Sequence, residues 1–155
     1  MKILFVCLLL ACIISSCETK QNTEKTAPPE NPMMGSWELI SGTTIQGKDT
    51  TVTDYTKNRK FLKIINSTHF AFVGHDLNKG KDTLAFYSSG AGTYTLKDSV
   101  YTEHLQFCND RAWEGNDFTF HIVIQNDTLT QTGMEKVEKL GVDRMNIERY
   151  VRLKN

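Results

Sequence analysis

The sequence predicts an all-β fold: a small antiparallel up-and-down β-barrel of about eight to ten strands, with a half-open sandwich as the alternative. Three observations predict it. From Gly35 onward, apolar and polar residues alternate in short runs, the period of a strand with one face in a core. The β-formers are prominent, with 8 Phe, 5 Tyr and many Thr, Val and Ile. Short turn signals divide the runs: Asn66-Ser67, Asp98-Ser99 and Asn126-Asp127 each separate two apolar-rich stretches, and Asn and Asp tolerate the left-handed backbone that tight hairpins need. Hairpins in succession pair sequence neighbours, and closing the sheet on itself removes the edges that such a meander exposes.

Strands are expected near Trp37–Ile45, Thr51–Tyr55, Phe61–Ile65, His69–His75, Thr83–Tyr87, Gly92–Leu96, Val100–Phe107, Phe118–Gln125, Leu129–Thr132 and Asn146–Leu153. Gly90-Ala91-Gly92 is expected to mark a bulge or bend. Met134, Val137 and Leu140, spaced three apart before Gly141, predict a short helical connector. One hairpin carries an internal test. With its loop centred on Ala112-Trp113, Phe107 faces Phe118, Leu105 faces Phe120 and Glu103 faces Ile122. That register gathers Tyr101, Glu103, Leu105, Phe107, Phe118, Phe120, Ile122 and Ile124 on one face, and leaves His104, Gln106, Thr119 and His121 on the other.

The N-terminus reads as an export signal. Met1-Lys2 is a short positive start and Ile3 to Ile14 is an unbroken run of apolar or small residues, well under the ~20 residues of a membrane-spanning helix. Ile14-Ser15-Ser16-Cys17 resembles the bacterial lipobox, in which small residues precede a cysteine that becomes the acylated N-terminus. The resemblance implies residues 1–16 as a cleaved signal peptide and Cys17 as the lipidation site, with residues 17–33 a polar tether containing Pro28-Pro29 and residues 34–155 the barrel domain. It further implies a protein held in the cell envelope, at the outer membrane, with the membrane as its partner through the anchor. After processing only Cys17 and Cys108 remain, so the fold must rest on its core without a disulfide.

The domain opening, Gly35-Ser36-Trp37-Glu38-Leu39-Ile40, resembles the Gly-x-Trp first strand of the lipocalin and fatty-acid-binding (calycin) families. Gly92-Thr93-Tyr94-Thr95-Leu96 followed by Tyr101-Thr102-Glu103 is similar to lipocalin-like domains on lipoproteins of Bacteroides-type bacteria. The likeness runs over about residues 34–154. It implies that Trp37 plugs the closed end of the barrel and that an arginine of the last strand, Arg149 or Arg152, covers it. The sequence departs from the pattern in having only the turn Gln46–Asp49 after the first strand, with no room for a helical lid, and no long helix elsewhere. A scaffold hosts many functions, so the likeness speaks to fold more than ligand.

No chemistry is expected. Basic and acidic residues balance at 18 each with no stripe of one sign, which argues against nucleic acid. Gly-x-Ser-x-Gly, His-Glu-x-x-His, phosphate-binding loops and Cys-x-x-Cys are missing. His104 and His121 lie on the outward face without a third ligand, so no metal and no cofactor are expected. Cys108 and His104 are ~13 Å apart along a strand, too far for proton transfer. Glu103 stands out as a carboxylate among inward apolar positions, where it needs a partner; Arg152 or Tyr150 is expected to supply it. The reading is a non-enzymatic barrel holding a small apolar or amphipathic ligand on Tyr101, Glu103, Phe120, Tyr150 and Arg152. The rival is a packed structural or protein-interaction module whose working surface lies outside, its protein partner unspecified. Trp113, in a loop with Arg111 and Glu114, is a candidate contact for ligand, partner or membrane. Asp82-Thr83-Leu84, Asp98-Ser99-Val100 and Asp127-Thr128-Leu129 also resemble the Asp-Ser/Thr-apolar sites that Bacteroides-type bacteria O-glycosylate.

Overall fold

The computed structural model describes residues 31–81, 83 and 85–154; the expected signal peptide, Cys17 and most of the tether lie outside the described residues. The strands are β1 Gly35–Gln46, β2 Asp49–Asp54, β3 Arg59–Ile65, β4 His69–Asp76, β5 Tyr87–Lys97, β6 Val100–Cys108, β7 Asp117–Gln125, β8 Thr128–Val137 and β9 Val142–Arg152. Every pairing is antiparallel between neighbours, and β9 returns to pair with β1 from Trp37↔Arg152 to Ile45↔Met145. The other edge of β1 is shared, with β3 on Gly35 to Glu38 and β2 on Ser41 to Gln46. β2 and β3 are thus two halves of one partner strand, interrupted where Asp54 folds back to accept from the Thr56 N–H and hydroxyl. The result is a closed eight-stranded up-and-down barrel with β2 continuing the line of β3. No helix among the described residues is long and apolar enough to cross a membrane.

Alternation places one shared interior. Trp37, Leu39, Ile65, Phe70, Tyr101, Leu105, Phe118, Phe120, Ile122, Leu129 and Tyr150 are buried and pack as one cluster. The turns that set the register are those the sequence marks: Asp98 at φ 56°, and Asn126 and Asp127 at φ 48° and 58°. The Asp98 and Asp127 turns account for two of the Asp-Ser/Thr-apolar stretches as hairpin chemistry.

Four expectations need correction. Thr83 lies in a turn, and the strand expected at Thr83–Tyr87 begins only at Tyr87, continuing through Gly92 to Lys97 as one β5. Met134 and Val137 belong to β8; only Glu138–Leu140 makes a 3-10 turn, closed by Gly141 at φ 64°. The β6–β7 register has Glu103 opposite Phe118 and Tyr101 opposite Phe120, and the ladder stops at His104↔Asp117. The slip from the expected pairing is an even number of residues, so the faces survive it. The fourth correction is Phe107, 66% exposed rather than inward. Its cause is a bulge: Gly92 pairs with Leu105 but Ala91 with Phe107, leaving Gln106 as an extra residue on β6. Gln106 and Phe107 therefore both face outward, and Cys108 turns toward the core. Phe107 joins Ile64, Ala71 and Ala91 in an apolar row across the outside of β3 to β6.

The closed end is built from both termini of the domain. Trp37 is fully buried and its indole N–H donates to the Met33 carbonyl at 2.8 Å. The Arg152 guanidinium lies 4.1 Å from the Trp37 ring centroid and donates to the carbonyls of Met34 and Pro32 at 2.7 Å each. Arg149, the other arginine considered for this cover, is exposed. Met33 is buried as well, so the folded unit begins at Asn31, ahead of the expected start at Met34.

The bulge supplies a test of the architecture. A Cβ on Gly92 would stand 1.9 Å from the His104 carbonyl oxygen, backbone that cannot move aside without opening the β5–β6 ladder. Gly92→Ala should cost about 3 kcal/mol by denaturant unfolding, a large value for one methyl group. An unchanged midpoint would mean that β5 and β6 do not meet at this register.

Candidate functional site

Inside the barrel, toward the end away from Trp37, lies a cavity of about 350 Å³. Its walls are aromatic and apolar, including Tyr55, Phe61, Phe72, Leu105, Trp113 and Phe118. Phe61 and Phe72 stack with centroids 5.4 Å apart, and Trp113 leans on Phe118 at 5.7 Å. The loop that carries Trp113 is tied down at the mouth. Asp110 accepts from the Ala112 N–H, while Glu114 accepts from the Cys108 N–H at 2.9 Å and from Arg111 Nε at 2.7 Å. Across the β4–β5 connection, the Asp76 carboxylate accepts from the N–H groups of Asn78, Gly80 and Phe86, which hold its pKa below the usual range.

The floor is polar and interconnected. Lys63 Nζ bonds Glu103 Oε1 and donates to Gln131 Oε1 at 3.0 Å. Gln131 Nε2 donates at 2.6 Å to Glu148 Oε2, which also accepts from the Tyr150 hydroxyl at 2.7 Å. Lys63 is 2% exposed and sits 5.3 to 5.6 Å from the ring centroids of Tyr101, Tyr150 and Phe70, so its charge is held by one carboxylate and three aromatic rings. A second pair lies nearer the mouth: Arg144 reaches Glu135 at 2.7 Å and stands over Trp113 at 5.5 Å, while Asn146 donates to Glu135 at 2.7 Å. Burial raises the Glu148 carboxyl above its ordinary range, opposed by the nearby Lys63 charge and reinforced by Glu135 and Glu103. Burial likewise raises Tyr150 and Tyr101. The Tyr101 hydroxyl, near enough to Glu103 for that charge to add to the effect, has no hydrogen-bond partner of normal geometry among the described residues.

Of the residues expected to meet a ligand, Glu103, Phe120 and Tyr150 line this cavity. Tyr101 does not: it is fully buried beside Lys63 and outside the cavity lining. Arg152 is a correction, because its guanidinium is committed to Trp37 and two carbonyls at the opposite end. The expected Glu103 partner is also corrected from Arg152 or Tyr150 to Lys63. Lys63, Gln131, Glu148, Glu135 and Arg144 escaped the sequence reading. The signal was parity: Lys63 is in phase with Phe61 and Ile65, Gln131 with Leu129, and Glu148 with Tyr150. The four histidines lie outside the cavity lining, and among the described residues no cluster suited to a metal occurs.

Comparison with known proteins assigns no family. No protein-family profile matches the chain, and no curated protein matches it. Among solved structures, an uncharacterized protein from Bacteroides eggerthii is similar at 12% identity and a TM-score of 0.46, over 77% of this chain and 98% of that one. A variant of the fluorescent protein UnaG is similar at 11% identity and a TM-score of 0.37, over 79% and 97%. Such distant likeness carries no argument about function, and the fold rests on the strand pairing itself.

Two outcomes follow from the floor. Lys63→Met leaves the buried Glu103 carboxylate without its counter-charge and should cost about 3–5 kcal/mol in unfolding free energy, most of it regained in the Lys63→Met/Glu103→Leu double variant. A double variant no better than the single one would deny the pair its role. For Glu148, a raised pKa means that the folded state holds the proton more tightly than the unfolded chain. The corresponding stability is present at low pH and lost as pH rises through the folded-state value. Glu148→Gln removes that loss while keeping an oxygen for Tyr150, so its melting temperature should match the parent near about pH 4 and exceed it at neutral pH. A variant less stable than the parent at neutral pH contradicts this.

Proposed function

We propose that this protein is a non-catalytic, lipid-anchored binding protein of the bacterial envelope that holds one small amphipathic molecule in its barrel. The observation that carries the reading is the cavity, aromatic along its walls and polar at its floor, with a volume of about 350 Å³. Ligand sites have that character, a mostly apolar cleft with a few placed polar groups, and begin at about 300 Å³. The placement of all four histidines outside the lining keeps imidazoles apart from the interior carboxylates and supports binding over acid–base chemistry. Anchoring rests on the Ile14-Ser15-Ser16-Cys17 stretch; acyl chains there give membrane attachment worth ~0.8 kcal/mol per buried methylene.

The second reading, an interaction module, draws on the outward row of Ile64, Ala71, Ala91 and Phe107, of which Ile64 is 48% and Phe107 66% exposed. The two separate cleanly. Native mass spectrometry of protein purified from its own host should show a bound small molecule. Ser88→Trp, which places a large ring into the cavity, should abolish that extra mass, while Phe107→Ser should leave it. A bare mass in the parent protein, or an adduct indifferent to Ser88→Trp, removes the cavity reading. For the anchor, Cys17→Ala should move the protein from the membrane to the soluble fraction, and continued membrane association would defeat it.

A further inference from the structure

Among the described residues that line the cavity, the charges do not cancel. Two are cations, Lys63 and Arg144, and four are carboxylates, Glu103, Asp110, Glu135 and Glu148. Lys63 is taken by Glu103 and Arg144 by Glu135. Asp110 sits in the exposed loop at the mouth, capping its turn. Glu148 is left over. Its contacts are the neutral donors Gln131 and Tyr150, both on Oε2, and Oε1 accepts no hydrogen bond among the described residues. The other nearby cation, Arg59, lies over the rings of Tyr55 and Phe86, at 5.8 and 5.2 Å from their centroids, and is not part of the lining.

We propose that the cavity selects an organic cation: a small molecule with an ammonium head, seated on Glu148 Oε1, and an aromatic body held between Tyr55, Phe61, Phe72 and Trp113. A carboxylate enclosed with no cation in direct contact is costly, and a ligand that brings a positive charge to it recovers that cost on binding. The aromatic wall adds attraction of the same sign, because ring faces favour cations. An anionic ligand finds both interior cations occupied and Glu148 repelling it. Burial holds the Glu148 proton more tightly than usual, with Glu135 and Glu103 adding to the effect and Lys63 opposing it; an ammonium at Oε1 opposes it further. This inference rests on the cavity reading given above and adds the charge of the occupant.

The test is equilibrium dialysis of the purified protein at neutral pH against three probes that share a ring system and differ in head group: naphthylethylamine, naphthylethanol and naphthylacetate. The amine should bind at least about tenfold more tightly than the alcohol, with the acetate weakest. Glu148→Gln should bring the amine to within about twofold of the alcohol, with the melting temperature not reduced. Acetate binding tighter than the alcohol, no preference for the amine, or an amine preference that survives Glu148→Gln overturns the cation assignment while alcohol binding keeps the cavity reading standing. If none of the three binds, both readings fall.

Discussion

Closure of the sheet between β1 and β9 is the constraint from which the rest follows. An antiparallel meander has two unpaired edges and one apolar face, and joining Trp37–Ile45 to Met145–Arg152 removes the edges and turns that face into an interior. The closure is held where the two termini of the domain cross. Arg152 spans Trp37 and the carbonyls of Pro32 and Met34, so the residues just ahead of the first strand are pinned to the last strand by charge-assisted hydrogen bonds and a ring face. With that end plugged, room remains only toward the other end, where the cavity lies.

The interior of this barrel is not a uniform apolar core. Near the plug it is packed by Leu39, Ile65, Phe70 and Leu129; midway it is crossed by the chain Glu103–Lys63–Gln131–Glu148–Tyr150; beyond that it opens between aromatic side chains. Hydrophobic burial alone would favour filling the middle with aliphatic residues, and a buried ion pair is weak evidence of stability for its own sake. A connected polar layer with two carboxylates and one cation, and a second ion pair nearer the mouth, therefore fits the binding proposed above. It fixes polar groups at the bottom of an apolar cleft, the arrangement that the proposed binding of an amphipathic molecule requires.

Much of the barrel was legible because alternation and turn chemistry are local. Trp37, Tyr101, Phe118, Phe120 and Tyr150 point inward as their parity requires, and Asp98 and Asn126-Asp127 turn the chain where their letters suggest. What was illegible depended on partners distant in sequence. The Gln106 bulge arises from how β6 divides its pairing between β5 and β7, and it alone reverses Phe107. The partner of Glu103 is Lys63, 40 residues away, across a barrel whose shear no single hairpin reveals. A lysine in phase with Phe61 and Ile65 was nonetheless a visible anomaly, and so was a glutamate in phase with Tyr150. Charged residues on an apolar parity are the part of such a sequence that speaks of function.

A molecule bound as proposed enters the end of the barrel lined by Trp113 and stops short of the end plugged by Trp37. The chain has 2 tryptophans, one at each place, so nuclear magnetic resonance of their indole N–H groups reports both ends at once. Titration with naphthylethylamine should move the Trp113 resonance and leave that of Trp37 in place. Movement of the Trp37 signal alone, or of neither under conditions where the probe binds, would contradict the account.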